Sequence, residues 1–519
     1  MLLRWFIKYT MLFFLSIVSY FLFAQESLDE EVIVRIKAEG FQKSRVMETL
    51  VYMSDIYGPR LSGSPDFREA ADWAKNRFEE FGLQNVHFDS YADDLRGWGI
   101  DSYSIEMIEP RYMSIVGLPS AWTRSSKGEI TGIPIVVDYD NYEDLNQLKG
   151  QLTGRILIKP IDKVEKQNRE RIGPFTDVEL DNAARHTEAN NKDGLDNSGI
   201  KPFVERLKSD QYVGDTEMDR IHKFMLSEGV AAVIRPSRLN YGLLDAQQLR
   251  YTKKDQIKPV PHFVIAKEQH GRIIRMLVMG SEPHLKLNLE STFYSDPEYH
   301  VNLIGEIPGT DKDLKDEIVM VGGHFDSYHS GTGAADNGAG CATILEAVRI
   351  LKEIGIEPRR TIRIAFWGGE EQGLNGSMGY VKKYVGDILQ GTRKSEQSKI
   401  SVYFNHDNNG HNIRGIFTQG NEAIRPIFDK YLEPFHYLGV KTTTIENACC
   451  TDHRPFDAMN IPAFEWIQDP MEYFTHQIHT SMDVLDLVRE ESLKHNAVII
   501  ATFIYHAAMR DEMMPRKKL

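Results

Sequence analysis

Three apolar runs in the second half of the chain each stop at an acid or a histidine. Ile318-Val-Met-Val runs into Gly322-Gly323-His324-Phe325-Asp326, and Thr361-Ile-Arg-Ile-Ala-Phe-Trp into Gly369-Glu370-Glu371-Gln372-Gly373. Lys399-Ile-Ser-Val-Tyr-Phe runs into Asn405-His406-Asp407. A fourth run spans Ala463-Phe-Glu-Trp-Ile, and between the first two lies a helical pattern, Cys341, Ile344, Leu345, Val348 and Leu351, closed near Gly355. Short buried strands alternating with helices predict an α/β fold: a mostly parallel mixed sheet sandwiched by helices. In open sheets of this kind, ligands bind in the crevice beyond the carboxyl ends of the strands. The polar endings of these strands fall there.

The remaining polar blocks complete a set. Ala335-Asp336-Asn337-Gly338 opens the helical pattern, and His479-Thr480-Ser481-Met482-Asp483 comes late in the chain. His324, Asp336, Glu371, Asp407 and His479 are oxygen and imidazole donors, with Glu370 as a spare carboxylate. Such a set can hold two zinc ions and place a general base beside the water they share. Asp326 can orient the His324 ring, because ligating imidazoles usually donate their other N–H to a carboxylate. A carboxylate with two oxygens, as Asp336 offers, can bridge two cations. Adjacent Glu370 and Glu371 point in different directions, so one can bind metal while the other acts as base. His406, His411 and His476 compete as ligands, and exposed loop histidines are the plainer explanation for the first two.

These blocks resemble the co-catalytic zinc exopeptidases that include the bacterial leucyl aminopeptidases, and more closely the carboxypeptidase Q type. Tyr57-Gly-Pro-Arg-Leu-Ser-Gly-Ser64 and the tail Asp511-Glu-Met-Met-Pro-Arg516 belong to the likeness. The resemblance implies one zinc on His324, Asp336 and Asp407 and a second on Asp336, Glu371 and His479. It implies that Glu370 is the general base acting on a metal-bridging hydroxide, that a cis peptide joins Asp336 to Asn337, and that the insertion is a protease-associated-like domain. His479 outranks His476 because Thr480 and Asp483 follow it in the family's order. Peptides or dipeptides are then the substrate, with aminopeptidase, dipeptidase and carboxypeptidase action all open. A single-zinc glutaminyl cyclase and an inactive receptor-like homologue are the alternatives. The first has no use for Asp407, and the second should have lost ligands or base.

The rest of the chain sets boundaries. Arg4 and Lys8 precede an apolar run, Met11 to Ala24, too short for a comfortable membrane span. Residues 1–24 therefore read as a signal peptide rather than an uncleaved anchor, giving an exported protein, periplasmic or extracellular, with no membrane attachment after cleavage. The formal net charge is −14, and nothing basic is clustered, which argues against nucleic acid. Residues 25–125 and 290–519 are expected to form the peptidase domain. Residues 126–289 form the insertion, a surface for homodimer contacts. Within it, Ile133–Val137, Arg155–Ile158, Ala231–Ile234 and His262–Ile265 read as strands, and the polar stretch Asp162 to Asp219 as surface helix or loop. Ser64-Pro65 should start a helix whose apolar face is Phe67, Ala70, Ala71, Ala74, Phe78 and Phe81, ended at Gly82. A strand should follow near Val86–Phe88. The three cysteines make no disulfide framework: Cys341 falls in a helix, and neighbours Cys449 and Cys450 are expected to bridge each other poorly.

Overall fold

The computed structural model describes residues 26–161, 173–189, 203–205, 207, 216–245, 248–408 and 410–518. The apolar leader and most of the polar stretch 162–219 lie outside them.

A six-stranded mixed sheet carries the molecule. Its strands are β1 (Gln84–Ser90), β2 (Val301–Ile307), β3 (Ile318–His324), β4 (Thr361–Trp367), β5 (Ile400–Asn405) and β6 (Ala463–Phe464), in the spatial order β1-β2-β4-β3-β5-β6. The β4–β3, β3–β5 and β5–β6 pairs are parallel, and β1–β2 and β2–β4 are antiparallel. Helices α1 (Pro65–Glu80), α2 (Ala339–Glu353) and α3 (Glu490–Met509) contribute to one large core with its strands.

The start of α1 follows the sequence reading. The Ser64 hydroxyl accepts the Phe67 N–H at 3.1 Å, and Pro65 takes the first turn, where its missing N–H costs nothing. Phe67, Ala70, Ala71, Ala74 and Phe78 are buried, and Gly82 leaves the helix at φ +76°. Burying Phe78 alone is worth about 1.5–3 kcal/mol. In β3, a Cβ on Gly323 would lie 2.6 Å from the His406 carbonyl and 2.9 Å from the Asn337 amide, so glycine lets two ligand-bearing loops close on the strand end.

A five-stranded sheet (Gly117–Pro119, Ile135–Val136, Ile156–Ile158, Ala232–Pro236, His262–Ile265) and a long antiparallel ribbon (Gly97–Glu109 with His284–Tyr294) form the other large sheets. Two strand readings change. Ile133–Val137 is divided at Pro134, which lacks the N–H a ladder needs. Ile130–Gly132 joins the ribbon and Ile135–Val136 the five-stranded sheet. The run Ala463–Ile467 breaks at Glu465: Ala463–Phe464 pairs with β5, while Trp466–Gln468 pairs with Ile413–Phe417 in a separate three-stranded sheet. Where it is described, the polar stretch is surface helix, as expected, with one apolar side packed inward. Helix Asp177–Arg185 buries Leu180, and the Thr444 hydroxyl donates to the Ala183 carbonyl at 2.7 Å.

Cys449 and Cys450 are joined in a disulfide, against expectation. Cys450 adopts φ +75°, and the Cα atoms lie 3.6 Å apart. A left-handed residue at that position turns the two side chains toward each other, which an extended pair cannot do. Cys341 is free and buried in α2.

Candidate metal centre

The strand ends converge as the parallel sheet requires. His324 is the last residue of β3, Glu370 and Glu371 follow β4, and Asp407 lies two residues beyond β5. Asp336 is held in the loop entering α2, with a cis peptide between it and Asn337. The Ala335 N–H donates to the Asp483 carboxylate at 2.6 Å, and Thr332 N–H to the Asp483 carbonyl at 2.9 Å. Asp483 therefore fixes the Asp336 loop to the one bearing His479.

Asp336 lies at the centre. Its Oδ1 is 3.2 Å from His324 Nε2, and its Oδ2 is 3.3 Å from His479 Nε2. Asp407 Oδ1 is 3.2 Å from the same His324 nitrogen, and Glu371 Oε2 is 3.0 Å from the same His479 nitrogen. The ligand atoms thus divide into two triads, His324–Asp336–Asp407 and Asp336–Glu371–His479, sharing Asp336. A third grouping joins Glu370 to His324 and Glu371. Carboxylate oxygen and imidazole nitrogen are the donors that suit zinc. Glu371 Oε1 is buried without a hydrogen-bond partner among the described residues, as fits an atom meant for a cation. His406, His411 and His476 join none of these groups; His406 is buried beside the site, and its carbonyl accepts from the Asn337 amide at 2.9 Å.

Asp326 works differently from its sequence expectation. The His324 Nδ1 is 3.0 Å from the backbone carbonyl of Asp326 and 3.8 Å from its carboxylate. The carboxylate instead accepts the N–H groups of Glu370 at 3.1 Å and Glu371 at 3.4 Å, and so sets the turn that carries them.

Charge in the cluster is unbalanced. Burial opposes charge on His324 and His479, yet the surrounding carboxylates hold both imidazoles well above their ordinary range. Burial, with the Glu371 and Asp407 charges added, raises Glu370 well above the usual carboxylate range against the pull of His324. Burial and Asp336 push Glu371 up to about 7. Acids so perturbed mark a place built for positive charge and for proton transfer.

Three contributors escaped sequence reasoning. Glu465 receives the Asn405 amide at 2.6 Å and the Trp466 N–H at 2.8 Å, behind Asp407. An acid inside an apolar strand was its signal. Tyr328 stacks on His479 with ring centroids 3.8 Å apart. Arg250 comes from a distant segment and has no local signature. A cleft of about 910 Å³ opens over the site, its wall including Phe175, Phe417, Ile467 and the Cys449–Cys450 disulfide.

Residues 302–504 match the model of Peptidase family M28. Fold and site are those of a zinc metallopeptidase, and the matched stretch holds every donor of the two triads. Within that class the chain is similar, nearly end to end, to carboxypeptidase Q: 25% identity to the Mus musculus protein over 490 residues, 94% of this chain and 90% of that one. Leupeptin-inactivating enzyme 1 of Streptomyces exfoliatus is 32% identical over 232 residues, 41% of this chain and half of that protein. Among solved structures, a Peptidase M28 precursor from Shewanella amazonensis SB2B superposes with a TM-score of 0.63 at 20% identity, covering 94% of this chain and 99% of that one. BSAP, a zinc aminopeptidase from Bacillus subtilis, gives 0.56 at 18%, covering 91% and 98%. At these identities the superpositions establish the fold.

Proposed function

We propose that the chain is an exported, two-zinc exopeptidase. One observation carries this reading: the two oxygens of Asp336 each face a different imidazole, at 3.2 and 3.3 Å, which divides the cluster into two triads around one bridging carboxylate. His324, Asp336 and Asp407 would hold one ion, and Asp336, Glu371 and His479 the other. Zinc bound there supplies Lewis acidity, polarising a peptide carbonyl and making water acidic enough to ionise near neutral pH. Glu370 is the base. It takes the proton of the attacking water and later returns it to the leaving amine. Asp326 keeps Glu370 and Glu371 in their separate directions through their backbone N–H groups.

The names of the relatives, carboxypeptidase and aminopeptidase, support action at a chain end. Complete ligands for two ions, Asp407 included, disfavour a single-zinc cyclase, and the presence of Glu370 disfavours an inactive homologue. Residues 126–289 are proposed as an inserted protease-associated-like unit and residues 1–24 as a cleaved leader. Among the described residues no helix is long and apolar enough to cross a membrane.

The test is direct. Protein purified without chelator is analysed for metal and incubated with a mixed library of peptides and dipeptides, with cleavage read by mass spectrometry. Two zinc ions per chain and release of terminal residues are expected. One zinc at full activity, or internal cleavage, overturns the reading.

A further inference from the structure

The five-stranded sheet has a crevice of its own, far in character from the metal cleft. Its strands Ile135–Val136, Ile156–Ile158, Ala232–Pro236 and His262–Ile265 run parallel. Leu157 pairs with Val233 and Val233 with His262, so these three side chains share one face. Alternation places Arg235, two residues past Val233, and Lys159, two past Leu157, on the same face, and the Lys159 N–H still donates to the Ile234 carbonyl at 3.0 Å. Helix Glu217–Glu228 covers that face, its Ile221 and Met225 sharing a core with Leu157 and Val233. A cavity of about 110 Å³ lies between helix and sheet, walled by Lys159 and Arg235 and by Tyr139, which follows the first of these strands. Ligands of parallel α/β sheets bind at the carboxyl ends of the strands, and this cavity is at that end.

Its wall gathers polar atoms that the protein itself does not pair. Ser120 Oγ, Tyr139 Oη, both ring nitrogens of His222 and the Nε2 of His262 are buried without a hydrogen-bond partner among the described residues. All four side chains line this one cavity, and the residues are between 1% and 5% exposed. Buried polar groups are nearly always bonded, because an unmade bond leaves the full desolvation cost of the group. Five such atoms around one space are the complement of a polar ligand. Their positions are fixed from behind. The Ser120 N–H donates to the His262 carbonyl at 2.9 Å, and the His262 ring packs against Tyr139 and His222 with centroids 6.3 and 5.0 Å away.

The chemistry of the set selects the ligand. Burial keeps the Tyr139 phenol protonated and both imidazoles neutral. Each hydroxyl then offers one O–H and each imidazole one N–H, which makes four donors. Lys159 and Arg235 add positive charge. Asp140, paired with Lys159, is the only carboxylate among the described residues that line the cavity. Asp245 answers two guanidiniums at once, Arg235 at 3.3 Å and Arg238 at 2.6 Å. Asp138 and Asp219 act on Tyr139 and His222 from outside the lining. A metal cation would need an ionised phenol and would face Lys159 and Arg235, while an apolar molecule would leave every donor unmet. We infer that this cavity binds a small tetrahedral oxyanion, inorganic phosphate or sulfate, through Ser120, Tyr139, His222 and His262, with Lys159 and Arg235 supplying the charge. Four donors match the four oxygens of such an ion. The site stands apart from the metal cleft and does not depend on the peptidase reading.

The experiment titrates inorganic phosphate, sulfate and, as a planar control, acetate into the full chain by calorimetry. Zinc-loaded wild type, chelated wild type, Tyr139→Phe and Ser120→Ala are compared. Phosphate can also meet zinc in the metal cleft, so the binding that counts is the one that survives chelation. Wild type should take up one phosphate or sulfate per chain with or without zinc, and acetate roughly tenfold more weakly. Each variant removes one donor to a charged group and should weaken phosphate by roughly ten- to a hundredfold. Zinc content and peptide turnover equal to wild type show that both variants are folded, and either one suffices for the test. Phosphate should also raise the melting temperature of wild type more than that of either variant. A wild type that takes up neither phosphate nor sulfate holds ordered water only, and the inference fails. It fails equally if chelation abolishes the uptake, if both variants bind as tightly as wild type, or if acetate binds as well as phosphate.

Discussion

Two pairs of histidines, three of the four buried, sit in this chain under opposite electrical conditions. His324 and His479 share the metal cleft with four carboxylates, Asp336, Glu370, Glu371 and Asp407. His222 and His262 line a small cavity of about 110 Å³ beside the five-stranded sheet, with Tyr139 and Ser120. Their rings lie 5.0 Å apart. Neither touches a carboxylate oxygen among the described residues, and burial drives His222 down to about 4 and His262 well below its ordinary value. His324, His222 and His262 are buried, and His479 is half-buried at the cleft wall. What differs is company: carboxylates turn a buried histidine into half of a cation site, and without them it stays neutral. A buried histidine says little by itself, while its nearest acids say nearly everything.

The sharpest way to break this contrast is to change one acid without changing shape. Glu370→Gln should lower turnover on the order of 10²- to 10⁴-fold while folding and zinc content survive. Glu371→Gln removes a ligand charge, so zinc content itself should fall. Metal analysis and peptide hydrolysis are measured on both variants side by side. If Glu370→Gln turns over normally, or loses zinc as badly as Glu371→Gln, base and ligand are wrongly assigned.

Removing the cation tests the same half of the comparison from the other side. Four carboxylates against two imidazoles leave the cleft with excess negative charge, so a chelator should lower the melting temperature. Zinc at a thousandfold over its Kd restores about 4 kcal/mol. The melting temperature is followed by calorimetry before and after chelation, then with zinc returned. Protein that melts at the same temperature throughout has no folded-state metal in this cleft.

The two clusters also differ in how far the sequence disclosed them. His324, Asp336, Glu371 and Asp407 stand at or just past a strand end or at a helix entry, so period and punctuation brought them forward, whereas His479 lies in a turn and only the family resemblance set it above His476. The strand Thr361–Trp367 beside them matched for the same reason, as did His262–Ile265 in the five-stranded sheet. What stayed hidden depends on long-range packing. Nothing local tells that Arg250 returns to a site built more than 70 residues later, or that Tyr328 stacks on His479. Glu465 was read as part of one strand because the run is apolar on both sides. Cys449–Cys450 was misread because bridging needs φ +75° at Cys450, a conformation that composition does not reveal. The His222–His262 pair passed unnoticed, its members being 40 positions apart with no motif around either.

For that second pair the test is pH. His222 has a folded pKa of about 4 against an ordinary 6.5. The unfolded state therefore takes up the proton first. Stability contributed by the neutral ring is present above pH 6.5 and is lost as pH falls toward 4, at about 1.4 kcal/mol per pH unit. Asp140 and Asp219 raise the value and are outweighed by burial. Melting temperature is measured between pH 7 and 4, with zinc held in excess, for wild type and His222→Gln. The variant should show a shallower decline. Parallel curves would mean that His222 is charged in the folded protein and that the contrast between the two pairs is false.

The smallest effect belongs to the cleft wall, which carries neither acid nor base and serves as a control for both clusters. The Cys449–Cys450 bridge closes a ring of only two residues. Chain-entropy stabilisation grows with loop length, so this bridge contributes only about 1 kcal/mol. Its weight lies in shape, because it fixes Cys450 in a left-handed turn beside Thr451 and Asp452. Asp452 is buried and accepts the Ser377 hydroxyl, so the turn is tied to the floor of the cleft. Cys449→Ala/Cys450→Ala should therefore melt within a few degrees of wild type and keep its zinc, since no ligand is touched. The change should appear as a higher KM, largest for substrates with bulky apolar side chains, because Phe417 and Ile467 share that wall. Intact mass under non-reducing conditions confirms the bridge in wild type, and kinetics on a short and a bulky dipeptide give the ratio. A double variant that loses zinc would make the wall part of the charged site. One that leaves both KM values unchanged would make the bridge irrelevant to substrate.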